Sequence, residues 1–178
     1  MLYFDKHVIL IGFKHVGKSL ILKKLGEKLH KTTIDLDDEL ELLFEKRFSN
    51  KLKCREIMHE HGQSFFRTLE SEALLTVINL EPCLIGLGGG AILYETNQNL
   101  IKSNLIINIQ APKNVIYERI MQNGLPAFFS TKEDPVIQFN RHFTQREKIY
   151  KDLANFTVNN INSIELSVQT IMNYFQGK

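Results

Sequence analysis

The chain has 178 residues, 43% apolar and 24% charged, with a formal net charge of +2. Those values fit one globular domain, exclude a disordered or fibrous chain, and give no argument for nucleic acid or a membrane surface. Two cysteines, Cys54 and Cys83, are too few for a disulfide framework, and neither a membrane-spanning stretch nor a signal pattern is present, so a cytoplasmic protein is expected.

Residues 7–11 are a short apolar run of the kind that fills a parallel strand buried on both faces. From Gly17 the period changes, with Ile21, Leu22, Leu25 and Leu29 at helical spacing. Residues 32–36 read as a second strand and 37–41 as an acidic helix start. Residues 46–54 form a charged connector. Phe66, Leu69, Ala73, Val77 and Leu80, spaced 3, 4, 4 and 3, mark one face of a long helix. Pro82 introduces a third strand over 83–87, residues 104–109 make a fourth, and Pro112 opens a helix. Residues 123–135, with Gly124, Pro126 and Pro135, have surface-loop composition. Residues 156–158 are a weak fifth strand, and Ile164, Val168, Ile171 and Phe175 face one side of a last helix. Strands separated by helices predict an α/β fold with a parallel sheet covered on both faces. Ligands then gather at the carboxyl ends of the strands.

At the end of the first run stands Gly12-Phe13-Lys14-His15-Val16-Gly17-Lys18-Ser19, a full match to GxxxxGK[ST] between a strand and a helix. Consecutive N–H groups and a helix N-terminus make an anion cradle, to which a lysine adds a full charge. ATP is therefore expected on Gly12, Lys14, His15, Val16, Gly17, Lys18, Ser19 and Leu20. Lys18 would reach the β- and γ-phosphates and the Ser19 hydroxyl would ligate Mg²⁺. Asp35 and Asp37, two apart at the end of the second strand, are expected to leave one face toward that site, where a carboxylate can hold the Mg²⁺ shell or accept a hydroxyl proton. Asp38 and Glu41 have the spacing of a capping box.

With the phosphate loop, Asp35-Leu36-Asp37, Phe66-Arg67-Thr68-Leu69-Glu70 and Gly88-Gly89-Gly90 in this order, the chain resembles the shikimate kinases over residues 7–175. The resemblance implies a P-loop nucleoside-monophosphate-kinase fold with a five-stranded parallel sheet, a helical substrate-binding region near 37–66 and a lid near 123–135. It implies Mg·ATP and shikimate as the ligands of a monomer. It makes Asp35 and Lys18 catalytic, with Asp35 beside the Mg²⁺, and gives substrate contacts to Asp37, Arg67, Gly88, Gly89, Gly90 and Arg146. These roles make chemical sense, because arginine forks suit a carboxylate and carboxylates suit hydroxyls. Without the resemblance, Arg67 reads equally as a surface partner of Glu70 and Arg146 as a solvated position beside Glu147.

The sequence departs from the family pattern at three places. His15 stands for a glycine of the loop, and Leu87 for a threonine before the triple glycine. Leu125 precedes Pro126 where the family's lid carries a phosphate-directed arginine. Lys14, Lys132 and Arg141 are the candidate substitutes for that charge, and a slow enzyme is expected. A kinase of another small polyol acid, or a weakly active protein binding nucleotide and shikimate, are the alternatives.

Overall fold

The computed structural model describes residues 5–123, 129 and 133–177. Its elements alternate as the sequence requires: β1 Val8–Ile11, α1 Lys18–Leu29, β2 Thr33–Asp35, α2 Leu36–Phe48, α3 Cys54–Ile78 and β3 Leu84–Gly86. After a short 3-10 turn at Ala91–Leu93 come α4 Glu95–Ile101, β4 Leu105–Gln110, α5 Lys113–Asn123, α6 Pro135–Leu153, β5 Phe156–Asn159 and α7 Ile164–Gln176. The five strands lie in the order β2-β3-β1-β4-β5 with every pairing parallel. All four residues of β1 are buried, which is why that run is uninterruptedly apolar. Strand β1 is flanked by β3 and β4, and the chain passes from one side of it to the other. The carboxyl end of β1 is thus the switch point, where a crevice opens.

Three local expectations are corrected. Asp35 itself is the N-cap of α2: its Oδ1 accepts the Asp37 N–H at 3.2 Å, so the helix begins before the spacing of Asp38 and Glu41 suggests. Glu41 is no capping-box partner; it accepts the Cys54 N–H at 2.9 Å and the Lys53 ammonium at 2.7 Å, bracing α2 against α3. Because Asp37 already lies in the helix, strand alternation is not what brings it beside Asp35. The charged connector also shrinks, since α2 runs on to Phe48.

Helix α3 begins at Cys54, twelve residues ahead of the first apolar position of its predicted stripe, and bends at Gly62, where φ is 82°. Phe44, Phe48, His61 and Phe65 pack as a ring cluster between α2 and the bend of α3. Centroid distances run from 4.8 Å for Phe44–Phe48 to 6.2 Å for Phe44–Phe65. Among the described residues no helix is long and apolar enough to cross a membrane.

Candidate active site

The phosphate loop takes the conformation its glycines permit. Gly12 has φ 143°, and a Cβ there would lie 2.1 Å from the Ile109 carbonyl oxygen; Gly17, φ 94°, is the N-cap of α1 with no side-chain cap. The first N–H groups of α1 are thereby left for a ligand. Lys18 is folded back, donating to Gly12 O at 2.9 Å and Phe13 O at 2.8 Å. Burial pulls its pKa down to about 8, although Asp37 and Asp35 favour its charged form. From behind, the buried Asn160 carboxamide donates to Val16 O at 2.8 Å and accepts the Ser167 hydroxyl at 3.0 Å. No motif announces Asn160, and the sequence reading missed it.

His15 sits at φ 63°, the left-handed region in which a side chain costs energy. Burial, then Lys14 and Lys18, lower its pKa, so the imidazole is neutral at pH 7. His15→Gly should stabilise the fold by about 1 kcal/mol, raising Tm by roughly 2–4 °C in a calorimetric scan. An unchanged or lower Tm would show that the ring's contacts outweigh its backbone strain.

Asp35 divides its two oxygens. One caps α2, and Oδ2 accepts the Ser19 hydroxyl at 2.8 Å. Asp37, at the cavity wall, has its pKa raised by desolvation and then by Asp35, against the pull of Lys18 and Lys14. The triple glycine clears space for side chains of the site. A Cβ on Gly88 would lie 2.8 Å from Asp37 Oδ1, and one on Gly90 only 2.4 Å from Arg67 Nη2. Gly89 offers backbone: its carbonyl accepts the Tyr150 hydroxyl at 2.6 Å.

Both arginines are interior groups. Arg67 is 8% exposed and its Nη1 meets both oxygens of Glu70, at 2.8 and 2.7 Å. The pairing with Glu70 is real but buried, and Arg67 also borders a cavity of the site. Desolvation raises the Glu70 pKa while Arg67 opposes the rise. Arg146, 2% exposed, lies 5.1 Å from the Phe13 ring centre, and burial lowers its pKa. A solvated position for it is excluded.

These groups line two joined cavities. One, of about 330 Å³, is bordered by Gly17, Lys18, Ser19, Leu20 and Asp35. The other, of about 160 Å³, is bordered by Arg67, Glu70, Gly90 and Arg146. Lys14, His15, Asp37, Gly88 and Gly89 border both. Two expected nucleotide contacts fall outside this surface as side chains: Val16 is fully buried, and Gly12 serves through the carbonyl that anchors Lys18.

The lid expectation falls mainly on residues 124–128 and 130–132, so Leu125, Pro126 and Lys132 lie outside the described residues. Of the candidate substitute charges, Arg141 is held by Glu133 through two hydrogen bonds of 2.8 Å, and Lys14 borders both cavities. Arg119 on α5 was not anticipated; its Nη1 donates to the carbonyl of His15 at 3.3 Å.

A Mg²⁺ ion suits the Ser19–Asp35 pair. Its two hard oxygen donors already face each other, and Mg²⁺ keeps most of its shell as water and phosphate oxygen rather than demanding a protein cage.

Comparison with known proteins gives one answer. The family pattern described as Shikimate kinase matches residues 14–176. A shikimate kinase of Macrococcus caseolyticus is 32% identical over 168 residues, covering 93% of this chain and 94% of its own. One from Neisseria gonorrhoeae is 29% identical over 171 residues, 95% of each chain. Among solved structures, the shikimate kinase of Acinetobacter baumannii in complex with shikimate superposes with a TM-score of 0.83 at 21% identity, covering 97% of this chain and 93% of that one. The enzyme from Aquifex aeolicus gives 0.78 at 28% identity, with 96% of each chain covered.

Proposed function

The chain belongs to the shikimate kinase family, and on that premise we propose that it transfers the γ-phosphoryl group of Mg·ATP to a hydroxyl of shikimate, giving shikimate 3-phosphate and ADP. One observation carries the reading. A cavity lined by a phosphate loop opens, across Asp37 and Gly88–Gly89, into a smaller one lined by two buried arginines. A nucleotide's phosphates and a carboxylated polyol can therefore meet at that shared wall.

Each group then has a task set by its surroundings. The N–H groups at the start of α1 bind the phosphates, and Lys18 leaves its two carbonyls to neutralise the β- and γ-oxygens. Bound Mg²⁺, held on the protein side by Ser19 and Asp35, would supply charge neutralisation between those phosphates. Arg67 and Arg146 take the substrate carboxylate, with Glu70 fixing the plane of the Arg67 fork. Asp37 accepts a substrate hydroxyl, and its raised pKa favours taking up a proton there. As the substrate oxygen bonds to the γ-phosphorus, its proton passes to a carboxylate, the β–γ bridging bond breaks and ADP leaves. We propose that the whole chain is one catalytic domain acting as a monomer, with residues 37–66 as its substrate-binding region. The free thiols of Cys54 and Cys83 support a reducing, cytoplasmic setting.

An ADP-release assay over a panel of hydroxy acids tests the substrate. Shikimate should exceed quinate and gluconate by at least ~10²-fold in kcat/KM, because only a matching carboxylate and hydroxyl pattern satisfies every buried polar group. Equal rates across the panel would reject it.

Asp35→Asn keeps the cap of α2, since asparagine caps as well as aspartate, but removes the negative charge beside Ser19. Turnover should fall ~10²–10³-fold with shikimate affinity unchanged in calorimetry. A parallel loss of affinity would contradict this division of roles.

The pH dependence follows from Lys18. Its pKa in the free enzyme is about 8, below the usual lysine value. It is charged and able to bind phosphate below pH 8, and progressively neutral above it. kcat/KM for ATP should fall by about tenfold per pH unit beyond that point. Bound phosphate favours the charged form, so kcat should break at a higher pH. Coincident breaks in the two profiles would assign the titration elsewhere.

A further inference from the structure

The wall between the two cavities of the site is made of Lys14, His15, Asp37, Gly88 and Gly89. A phosphoryl group must pass it on the way from nucleotide to acceptor. Lys18 borders the larger cavity alone, and Arg67 and Arg146 border the smaller one alone. On the wall itself the glycines carry no charge, the His15 imidazole is neutral, and Asp37 offers a carboxyl group that repels phosphate when ionised. Among the described residues, Lys14 is therefore the one cation common to both cavities.

Its ammonium is placed and available there. The Lys14 backbone stands where the phosphate loop meets the triple glycine, since a Cβ on Gly89 would lie 3.2 Å from Lys14 N. The residue is exposed, and among the described residues its side chain makes no hydrogen bond or ion pair. Lys53 and Arg141, by contrast, are each held by a glutamate. The charge also acts on the wall. After burial, Lys14 is the largest cause lowering the His15 pKa, and with Lys18 it opposes the rise that burial and Asp35 impose on Asp37.

An exposed lysine is well solvated without a partner, so exposure alone assigns it no role. Position does. In phosphoryl transfer a protein acts mainly by positioning and by neutralising charge on the equatorial oxygens of the group in flight. Lysine is a point charge with rotatable donors on a flexible stem, and so can follow a group that moves. Lys18 meets that group at the start of its path; Lys14 borders the whole of it.

We propose that the Lys14 ammonium is a catalytic group that stays with the phosphoryl group, binding first the γ-phosphate of the nucleotide and then the phosphate of the ester. Lys14 forms no covalent bond, and the bonds made and broken are those of the transfer already described. The proposal rests on the kinase reading of the site, but its nucleotide half does not require shikimate to be the acceptor.

Calorimetry on Lys14→Gln and Lys14→Arg, with circular dichroism melts as the folding control, tests both halves. The nucleotide probes are Mg·ADP and the non-hydrolysable Mg·AMPPNP, which carries a γ-phosphate. Lys14→Gln should bind Mg·AMPPNP ~10-fold or more weakly than the wild type, with Mg·ADP changed less than about twofold, as expected for one lost charged contact. Lys14→Arg should keep the wild-type ratio. In the ester half, shikimate 3-phosphate should lose ~10-fold or more in affinity for Lys14→Gln, and shikimate less than about twofold. Equal losses for the two nucleotides, or none for Mg·AMPPNP, would overturn the proposal. A loss for Mg·AMPPNP with none for the ester would overturn the claim that Lys14 follows the group. If the wild type binds neither shikimate nor its phosphate, the substrate reading fails, while the nucleotide comparison still decides for or against the γ-phosphate contact.

Discussion

Lys18→Met is expected to lower turnover by ~10³-fold or more while leaving the protein folded, because it removes the full charge that the last lysine of the phosphate loop brings to the transferring group. The side chain is half-buried and its charge is held at some cost, as its lowered pKa shows. Methionine is close in length and carries no charge, so burial favours it. The two carbonyls that Lys18 now engages, Gly12 O and Phe13 O, lose a donor, which offsets part of that gain. The thermal midpoint should therefore stay within a few degrees of the wild type. ADP release read against circular dichroism melts checks both parts. A folded variant within tenfold of wild-type turnover would remove the loop from the chemistry.

Arg67→Ala should raise the shikimate KM by ~10²-fold or more with ATP affinity unchanged, since a buried charged clamp for a carboxylate disappears. It should also destabilise the fold by about 3–5 kcal/mol. Glu70 is 1% exposed and would be left without the two hydrogen bonds it now accepts. Its pKa is already raised by burial, and without Arg67 it rises further. The sign of the pH effect follows: the orphaned carboxyl is tolerated when protonated, so the loss should be smaller at pH 5 than at pH 8. The double variant Arg67→Met with Glu70→Met separates the two effects. It should recover much of the stability, because the uncompensated charge is gone, and none of the shikimate affinity. Recovery of affinity in the double variant would mean that Arg67 does not hold the substrate.

The parts of this protein legible in its sequence are those where one physical requirement dominates. Buried parallel strands demand continuous apolar runs, so β1 and β4 could be read directly. The phosphate loop needs glycine at Gly12 and Gly17 for conformation and a lysine for charge, and no other common local structure asks for that pattern. The first part of α3, from Cys54 to Gly62, has no apolar stripe and was implied only by the resemblance, because it buries little: among its residues only Ile57 is buried, and a stripe cannot be recognised from one position. Asp35 was read as a metal-side carboxylate and proved also to be a helix cap. The two tasks use different oxygens of one group, which no spacing rule separates. Without the resemblance, Arg67 and Arg146 read as well as surface residues, for the same reason that Asn160 and Arg119 were overlooked. Their environments are built by elements distant in sequence, and a single chain of letters carries no trace of which polar side chain will be enclosed.

The claim that the chain phosphorylates shikimate is tested most directly by ³¹P NMR of the wild-type protein with Mg·ATP and shikimate. A new phosphate-monoester resonance, coupled to a ring proton of shikimate, should grow in equal amount to the ADP formed. It should be absent when Lys18→Met replaces the wild type. ADP accumulating with inorganic phosphate and no monoester, or no ADP at all, would contradict the account.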